Sequence, residues 1–403
     1  MSNYRVAIIG AGPVGLLCAL GLARKGVDSV VIEREPGVVD SPRAIAHHWS
    51  TLPGMDELGI LDKAIARGFA KNDFALKVHK TGEEIRWNLD VLQGHVKFPF
   101  NVYLPQHILA DVILEELAAY PGTRVLWGTT FAGLRQTDKT VTISLQNDAE
   151  GAFEMNVEWL VGADGARSAV RKALGVGFDG FTWDQQFVAT NIRIDLSKHG
   201  YARSLLLVDK PNGAVLAMID NENLWRCAYA EDSGLPAEGV VERIHAMLPR
   251  IIPEARDGYA LEHHSVYRIH QRNATEFRVG RVLLAGDAAH ATNPAGGFGL
   301  TTGCLDVFIL YEALAAILGN QAPVDILDTY ARERKRVFLE FTSPQATRLM
   351  KLLLQEEGLQ EGLERFRLLA TDESARLKYS LFAGNLETPS LVTGRRHSPQ
   401  VAA

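Results

Sequence analysis

"YRVAIIGAGPVGLLCALGLARKGVDSVVIER", residues 4–34, decides the fold. "YRVAIIG" is a short, continuous apolar run, the pattern of a buried parallel strand. Gly10, Gly12 and Gly15 follow as GxGxxG. "LLCALGLARKG" then carries helical spacing and closes at Gly26, a natural C-cap. "SVVIE" is a second strand ending in Glu33, eighteen positions after Gly15. That is close to the roughly twenty expected of a dinucleotide-binding unit.

Each residue of this unit has a physical task. Gly10 permits the tight turn, Gly12 lets backbone approach a pyrophosphate, and Gly15 lets helix and strand pack closely. The helix N-terminus attracts phosphate charge. Glu33 can accept hydrogen bonds from both ribose hydroxyls of an adenosine, and its charge disfavours a 2′-phosphate. The site therefore suits FAD or NAD better than NADP.

Further along stands a second glycine-rich loop, "GDAAHATNPAGGFGL", residues 286–300. The strand "RVLLAGDAAH" precedes it and a long apolar helix follows, but no acid-terminated second strand does. It is therefore the other half of the first site. Asp287 could bond a polyol, and the N–H groups near Gly299 and Leu300, at a helix start, could favour negative charge. Between the two loops, "VEWLVGADGARSAVRKALG" (157–175) is another strand–turn–helix containing Asp164 and Gly165. From about 181 to 275, "FVATNIRIDL", "YARSLLLVDK", "GAVLAMID" and "LWRCAYAE" alternate as strands of a mostly antiparallel sheet. "FALKVHKTGEEIRWNL" (74–89) and "VKFPFNVYL" (96–104) are expected to join it. No second complete dinucleotide unit occurs in 176–280, so a nicotinamide partner would bind transiently.

The bulk properties narrow the classes. The 403 residues suffice for two domains or one large unit. A net charge of −6 argues against nucleic acid as a partner. Cys18, Cys227 and Cys304 are scattered with no CxxC pair, which argues against a disulfide framework or zinc site and fits a reducing compartment. The longest late apolar run, "VFILYEALAAILG" (307–319), contains Glu312 and is too short to span a bilayer. A buried core helix, no membrane association and a cytoplasmic location are expected. The pair His263-His264 lacks a suitably spaced third ligand, so no metal site is expected.

Three motifs stand in order: GxGxxG with Glu33-Arg34, Asp164-Gly165, and Gly286-Asp-Ala-Ala-His290 with its trailing Pro-Ala-Gly-Gly-Phe-Gly. Together they resemble the single-component flavoprotein aromatic hydroxylases of the para-hydroxybenzoate-hydroxylase type, over roughly residues 4–340. "AIAHHWSTLPGMDELGILDKAIARGF" and "TGEEIRWNL" are similar to the hydroxypyridine hydroxylases. The resemblance implies an α/β fold: a Rossmann-like FAD-binding domain (1–73, 105–180, 276–325), an inserted, mostly antiparallel β-sheet substrate domain (74–104, 181–275), C-terminal helices (326–385) and a tail (386–403). The tail is expected to be disordered or a surface arm.

The resemblance also implies site residues. Gly10, Gly12, Gly15, Glu33 and Arg34 would hold the ADP half of FAD. Arg43 would sit near the flavin and pyrophosphate, and Gln106 and Asp287 would bond the ribityl chain. Asp164 would lie near FAD and the path of NADH or NADPH. Pro294 would stand beside the flavin C4a, and Gly299–Leu300 would face the N1/O2 edge. Many relatives have Asn where Thr301 stands, so no flavin contact is assigned there. NAD(P)H would reduce FAD, O₂ would add at C4a, and the hydroperoxide would give one oxygen to an aromatic ring. A hydroxylated ring reacts better once deprotonated, so a base is required. His47 and His48 are the candidates, since histidine titrates in the right range. Tyr103, Tyr201, Met218, Tyr229 and Phe298 are candidate substrate contacts. A homodimer is compatible with the resemblance. The competing readings are an FAD-dependent reductase or epoxidase of the same fold, a halogenase, and a non-catalytic FAD-binding module.

Overall fold

The computed structural model describes residues 4–40, 42–210, 213–354 and 359–396. Its centre is a six-stranded sheet. The strand Val6–Ile9 lies between Ser29–Ile32 and Trp159–Gly162, with Thr123–Leu126 and Val282–Leu284 outside them, all parallel. Arg278–Val279 closes one edge as an antiparallel hairpin partner. The strands are apolar on both faces because both faces are covered. The helices Pro13–Arg24 and Phe298–Leu318 pack against each other on one side. A three-stranded antiparallel meander, Thr129–Gln136, Val141–Asn147 and Gly151–Val157, covers the other side. That meander is not among the sequence expectations.

Phe298–Leu318 is 21 residues long, longer than the expected run at 307–319, and its length and composition alone would let it cross a membrane. Its most apolar window is 78% buried inside the protein, the behaviour of a core helix. Gly303 allows its close approach: a Cβ there would come 2.9 Å from Val14 and 3.1 Å from the backbone of Gly286.

The second large sheet has eight strands in the order His290–Ala291, Ala260–Ala274, Phe178–Arg193, Leu224–Asp232, Ala214–Met218, Ser204–Val208, Asp73–Val78 and Glu84–Asn88. Its pairings are antiparallel except that of Ser204–Val208 with Asp73–Val78. The region 74–89 therefore joins it, as expected. The region 96–104 does not. Asn101–Tyr103 instead pairs with Ala46–His47 and Phe69–Lys71 in a small separate sheet, because its partners arrive from the neighbouring segments.

The eight-stranded sheet has two covered faces. On one, Trp225, Cys227 and Tyr229 meet the amphipathic helix Val240–Ile251 through Ile244 and Leu248. On the other, Phe187, Ala189 and Ala228 belong to the same core as the central helices. The C-terminal helices Ile326–Val337, Ser343–Leu353, Leu359–Thr371 and Glu373–Ser380 close over this second face. The tail expectation needs correction. Glu387, Thr388 and Ser390 are buried, because Leu386 and Thr388 accept hydrogen bonds from the buried Arg334. Residues 397–403 of that tail lie outside the described residues.

Candidate active site

The cleft starts at the first glycine loop. Gly10 has φ +107°, and a Cβ on it would come 2.5 Å from the carbonyl oxygen of Ala163. A Cβ on Gly15 would come 2.0 Å from the carbonyl of Gly10, so both positions exclude any side chain. Gly12 faces open space at the N-terminus of Pro13–Arg24. Glu33 follows its strand directly. Its carboxylate accepts the N–H of Ala11 (2.7 Å) and of Glu35 (3.0 Å), which holds an acid at the rim of the loop. Arg34 points to solvent and pairs with Glu35 at 3.1 Å.

Asp164 accepts the N–H groups of Ala169 (2.6 Å) and Val170 (3.1 Å) and so caps the helix Ala169–Ala173. Its other oxygen is buried and unpartnered, an acceptor left for a ligand. Arg171 donates to the carbonyls of Ala166 and Ala288, both at 2.8 Å, and so ties this motif to the second glycine loop. In that loop Gly286 has φ +59°. Asp287 is solvent-accessible yet lies deep in the protein, as a residue on a cleft wall does. Burial raises its carboxyl, and His290 and Arg43 oppose the shift. Arg43 thus stands near enough to Asp287 to act on its charge. Gln106 begins the helix Gln106–Leu117, half-buried. Gly299 and Leu300 lie in the first turn of Phe298–Leu318, where N–H groups have no helical acceptor.

The two loops, the uncrowded helix start at Gly12, the orphaned Asp164 oxygen and the accessible Asp287 form one continuous set of donors and acceptors. They fit a long dinucleotide held at both ends.

The short helical turn Pro294–Gly296 forms the next part of the wall. Gln271, not foreseen from the sequence, sets its approach. Its carbonyl oxygen accepts from Asn293 Nδ2 (3.1 Å) and Thr292 Oγ1 (3.1 Å), while its amide donates to Ser343 Oγ (2.8 Å). His48 Nε2 lies 3.0 Å from the Gly296 carbonyl, and its ring stacks on Phe298 at 5.1 Å. Phe298 in turn meets Phe382 edge-on at 5.6 Å. Burial pulls the His48 imidazole down to about 4, the Gly296 carbonyl opposes this, and Lys71 pushes it further down. His48 is therefore neutral at pH 7.

The other candidates separate sharply. His47 is wholly buried, 3.3 Å from the Leu104 carbonyl, with Nδ1 unpartnered, so no substrate can reach it. Tyr103 is buried with its hydroxyl on Ser204 Oγ at 3.2 Å, and burial pushes its phenol up to about 12. Tyr201 donates to Glu254 at 2.8 Å, and its ring packs with Met218 and Tyr229 in the core under Val240–Ile251. Those three belong to the opposite face of the sheet and are corrected out of the substrate contacts. His263 is largely exposed, 3.7 Å from Asp40, and no group capable of holding a metal occurs among the described residues.

His47 gives a test of this burial. Its pKa falls from 6.5 to about 4 through burial, opposed by the Leu104 carbonyl and aided by His48. The unfolded chain therefore takes up a proton between these values that the folded chain refuses. Stability is complete above pH 6.5 and falls as pH drops toward 4, by on the order of 3 kcal/mol from this residue. Melting temperature against pH should show this slope, and His47→Gln should flatten it.

Comparison with known proteins agrees with this geometry. The FAD binding domain family matches residues 3–343. The chain is 39% identical over 390 residues to 6-hydroxy-3-succinoylpyridine 3-monooxygenase HspB of Pseudomonas putida (strain DSM 28022 / S16), covering 96% of this chain and 99% of that one. It is 43% identical over 345 residues to para-nitrophenol 4-monooxygenase of Pseudomonas sp. (strain WBC-3), covering 85% of each. Among solved structures, p-nitrophenol 4-monooxygenase PnpA from Pseudomonas putida DLL-E4 superposes with a TM-score of 0.92 at 38% identity, over 96% of this chain and 99% of that one.

Proposed function

Because the chain belongs to the FAD binding domain family, among flavin-dependent aromatic monooxygenases, we propose that it hydroxylates a phenolic or hydroxypyridine-type ring. The reaction consumes the arene, NAD(P)H, a proton and O₂, and yields the hydroxyarene, NAD(P)⁺ and water. The observation that carries the substrate class is His48, a neutral imidazole stacked on Phe298 beside Pro294–Gly296. Such a base has use for a ring that bears an ionisable O–H. The named substrates of the two relatives, a hydroxypyridine and a nitrophenol, are rings of this kind.

FAD supplies the redox chemistry when bound, taking a hydride from NAD(P)H and activating O₂. The chain's residues bind, orient and move protons. Gly10, Gly12 and Gly15 admit the pyrophosphate, and Glu33 meets the ribose. Asp287 and Gln106 take the ribityl hydroxyls, with Arg43 near Asp287. The N–H groups of Gly299 and Leu300 favour negative charge on the ring system. His48 donates Nε2–H to Gly296 and accepts the substrate proton at Nδ1. Phe298, Phe382 and Pro294 exclude water around the reacting ring. The buried core helix and three buried free thiols support a cytoplasmic location.

The test is NADH and NADPH oxidation by the FAD-loaded protein against phenols and hydroxypyridines, with oxygen uptake and product mass. One compound that stimulates oxidation and gains a single oxygen supports the function. Stimulation that yields hydrogen peroxide alone marks an effector, and no stimulation by any compound overturns the function. Glu33→Ala removes the acceptor of two loop N–H groups as well as the ribose partner. It should strip FAD during desalting; a variant that keeps its full yellow complement would refute the ribose assignment.

A further inference from the structure

Lys71 is an amine that the fold buries without an acidic partner of its own. It ends the strand Phe69–Lys71, and only 1% of its surface is exposed. Its ammonium donates to the carbonyl of Asp73 and sits 3.3 Å from the centre of the Phe74 ring and 5.0 Å from that of Tyr103. Among the described residues it forms no ion pair. The neighbouring carboxylate, Asp73, is taken by Arg203, which bonds both of its oxygens at 2.8 and 3.0 Å. With a proton on Lys71, the group Lys71, Asp73 and Arg203 carries one net positive charge. Burial pulls the lysine well below its ordinary value, Asp73 opposes this and Arg203 adds to it. An ammonium in such a place costs stability, and a methionine would fill the space at no such cost.

Two features say where this charge acts. It bears on His48, whose imidazole it disfavours from protonating. The residue also lines an open pocket of about 620 Å³ with Ala70, Asn72, Asp90, Gln93, Pro99 and Phe100. That volume admits a substituted aromatic ring. His48 is not among the residues lining that pocket, and Lys71 is the residue that links the two. The groups around it are His48, Asp73, Tyr103 and Arg203, with Asp90 on the far pocket wall. Asp90 is solvent-exposed and held by Asn72 Nδ2 at 2.8 Å, so its repulsion is screened.

We infer that Lys71 is the anion-binding group of the substrate site, receiving the ring oxyanion of a phenolate or pyridinolate once His48 has removed its proton. This rests on the hydroxylase function above. The step is a proton transfer alone: the O–H bond breaks, N–H forms at His48 Nδ1, and the electron pair stays on oxygen facing the ammonium. The same cation opposes the positive charge that His48 gains, so the favourable part of the transfer lies in the oxyanion held at Lys71.

The experiment uses FAD-loaded protein without NAD(P)H and 4-nitrophenol as a coloured probe, titrated between pH 5 and 9. Wild type should bind the nitrophenolate and lower the probe's ionisation midpoint relative to free solution. Lys71→Met should bind it about tenfold more weakly and raise the bound midpoint by about one unit, while melting no lower than wild type. Lys71→Arg should keep most of the effect, and Lys71→Gln repeats the test should the methionine variant not fold. Equal affinity and an unchanged midpoint in the neutral variants would overturn the role of Lys71 while leaving the hydroxylase function standing. A wild type that binds neither nitrophenolate nor any hydroxypyridine would overturn the substrate class, and the Lys71 site with it.

Discussion

Replacing His48 with alanine is expected to lower hydroxylation roughly 10²–10⁴-fold, the range for loss of a positioned general base, while flavin reduction by NAD(P)H changes little. The geometry explains the split. The contact of Nε2 with the Gly296 carbonyl requires an N–H there, so the lone pair sits on Nδ1. Stacking on Phe298 holds the ring plane. Hydride transfer to the flavin needs none of this. Stopped-flow measurement of flavin reduction, beside single-turnover product formation, separates the steps. Equal loss in both would assign His48 a structural role. The pH profile of turnover reports on the same imidazole. A base whose pKa is lowered to about 4 stays competent from neutral pH down to that value, so the acid limb of turnover should lie well below the ordinary histidine range.

Asp306→Ala should cost about 3–5 kcal/mol, the usual penalty for removing one partner of a buried ion pair. That is a large share of the 5–15 kcal/mol of a typical domain. Asp306, His290 and Arg334 are all fully inaccessible. One Asp306 oxygen accepts from His290 Nε2 (2.7 Å) and the Gly286 N–H (2.9 Å), and the other accepts from Arg334 Nε (2.6 Å). Burial alone would raise this carboxyl, but His290 and Arg334 outweigh it and hold it below its usual range. Alanine strands the Arg334 charge and frees the Gly286 amide beside Asp287. Denaturant unfolding and FAD content should fall together. Adding Arg334→Met should restore a large part of the stability but not the loop anchor, so FAD content should stay low. Loss below 1 kcal/mol would show that the trio is not coupled.

The parts legible in the sequence are those written in short segments. The strand–loop–helix at 4–34, the turn at Asp164 and the loop at 286–300 each carry their own glycine and acid signals, and the structure brings them together. What stayed hidden depends on which face of an element meets which layer. Met218 and Tyr229 alternate correctly as strand residues, yet both faces of their sheet are apolar, so alternation cannot say which one lines the cleft. Lys71 resembles any surface lysine in "GFAKNDF". Its burial follows from Phe69–Lys71 pairing with Asn101–Tyr103, thirty residues away in sequence. Gln271 bonds Asn293, and Arg171 reaches the Ala288 carbonyl, both more than twenty residues distant, and no local pattern announces these contacts.

The buried trio also sets a timetable for biosynthesis. Arg334 donates to the Leu386 carbonyl (2.7 Å) and to Thr388 Oγ1 (3.0 Å) as well as to Asp306. The loop that carries Asp287 is thus braced by residues made some hundred positions later. A ribosome-bound nascent chain that has emerged through the first glycine loop, or even through Phe298–Leu318, still lacks this brace. Stable cofactor retention is therefore expected only after residue 388 has left the exit tunnel.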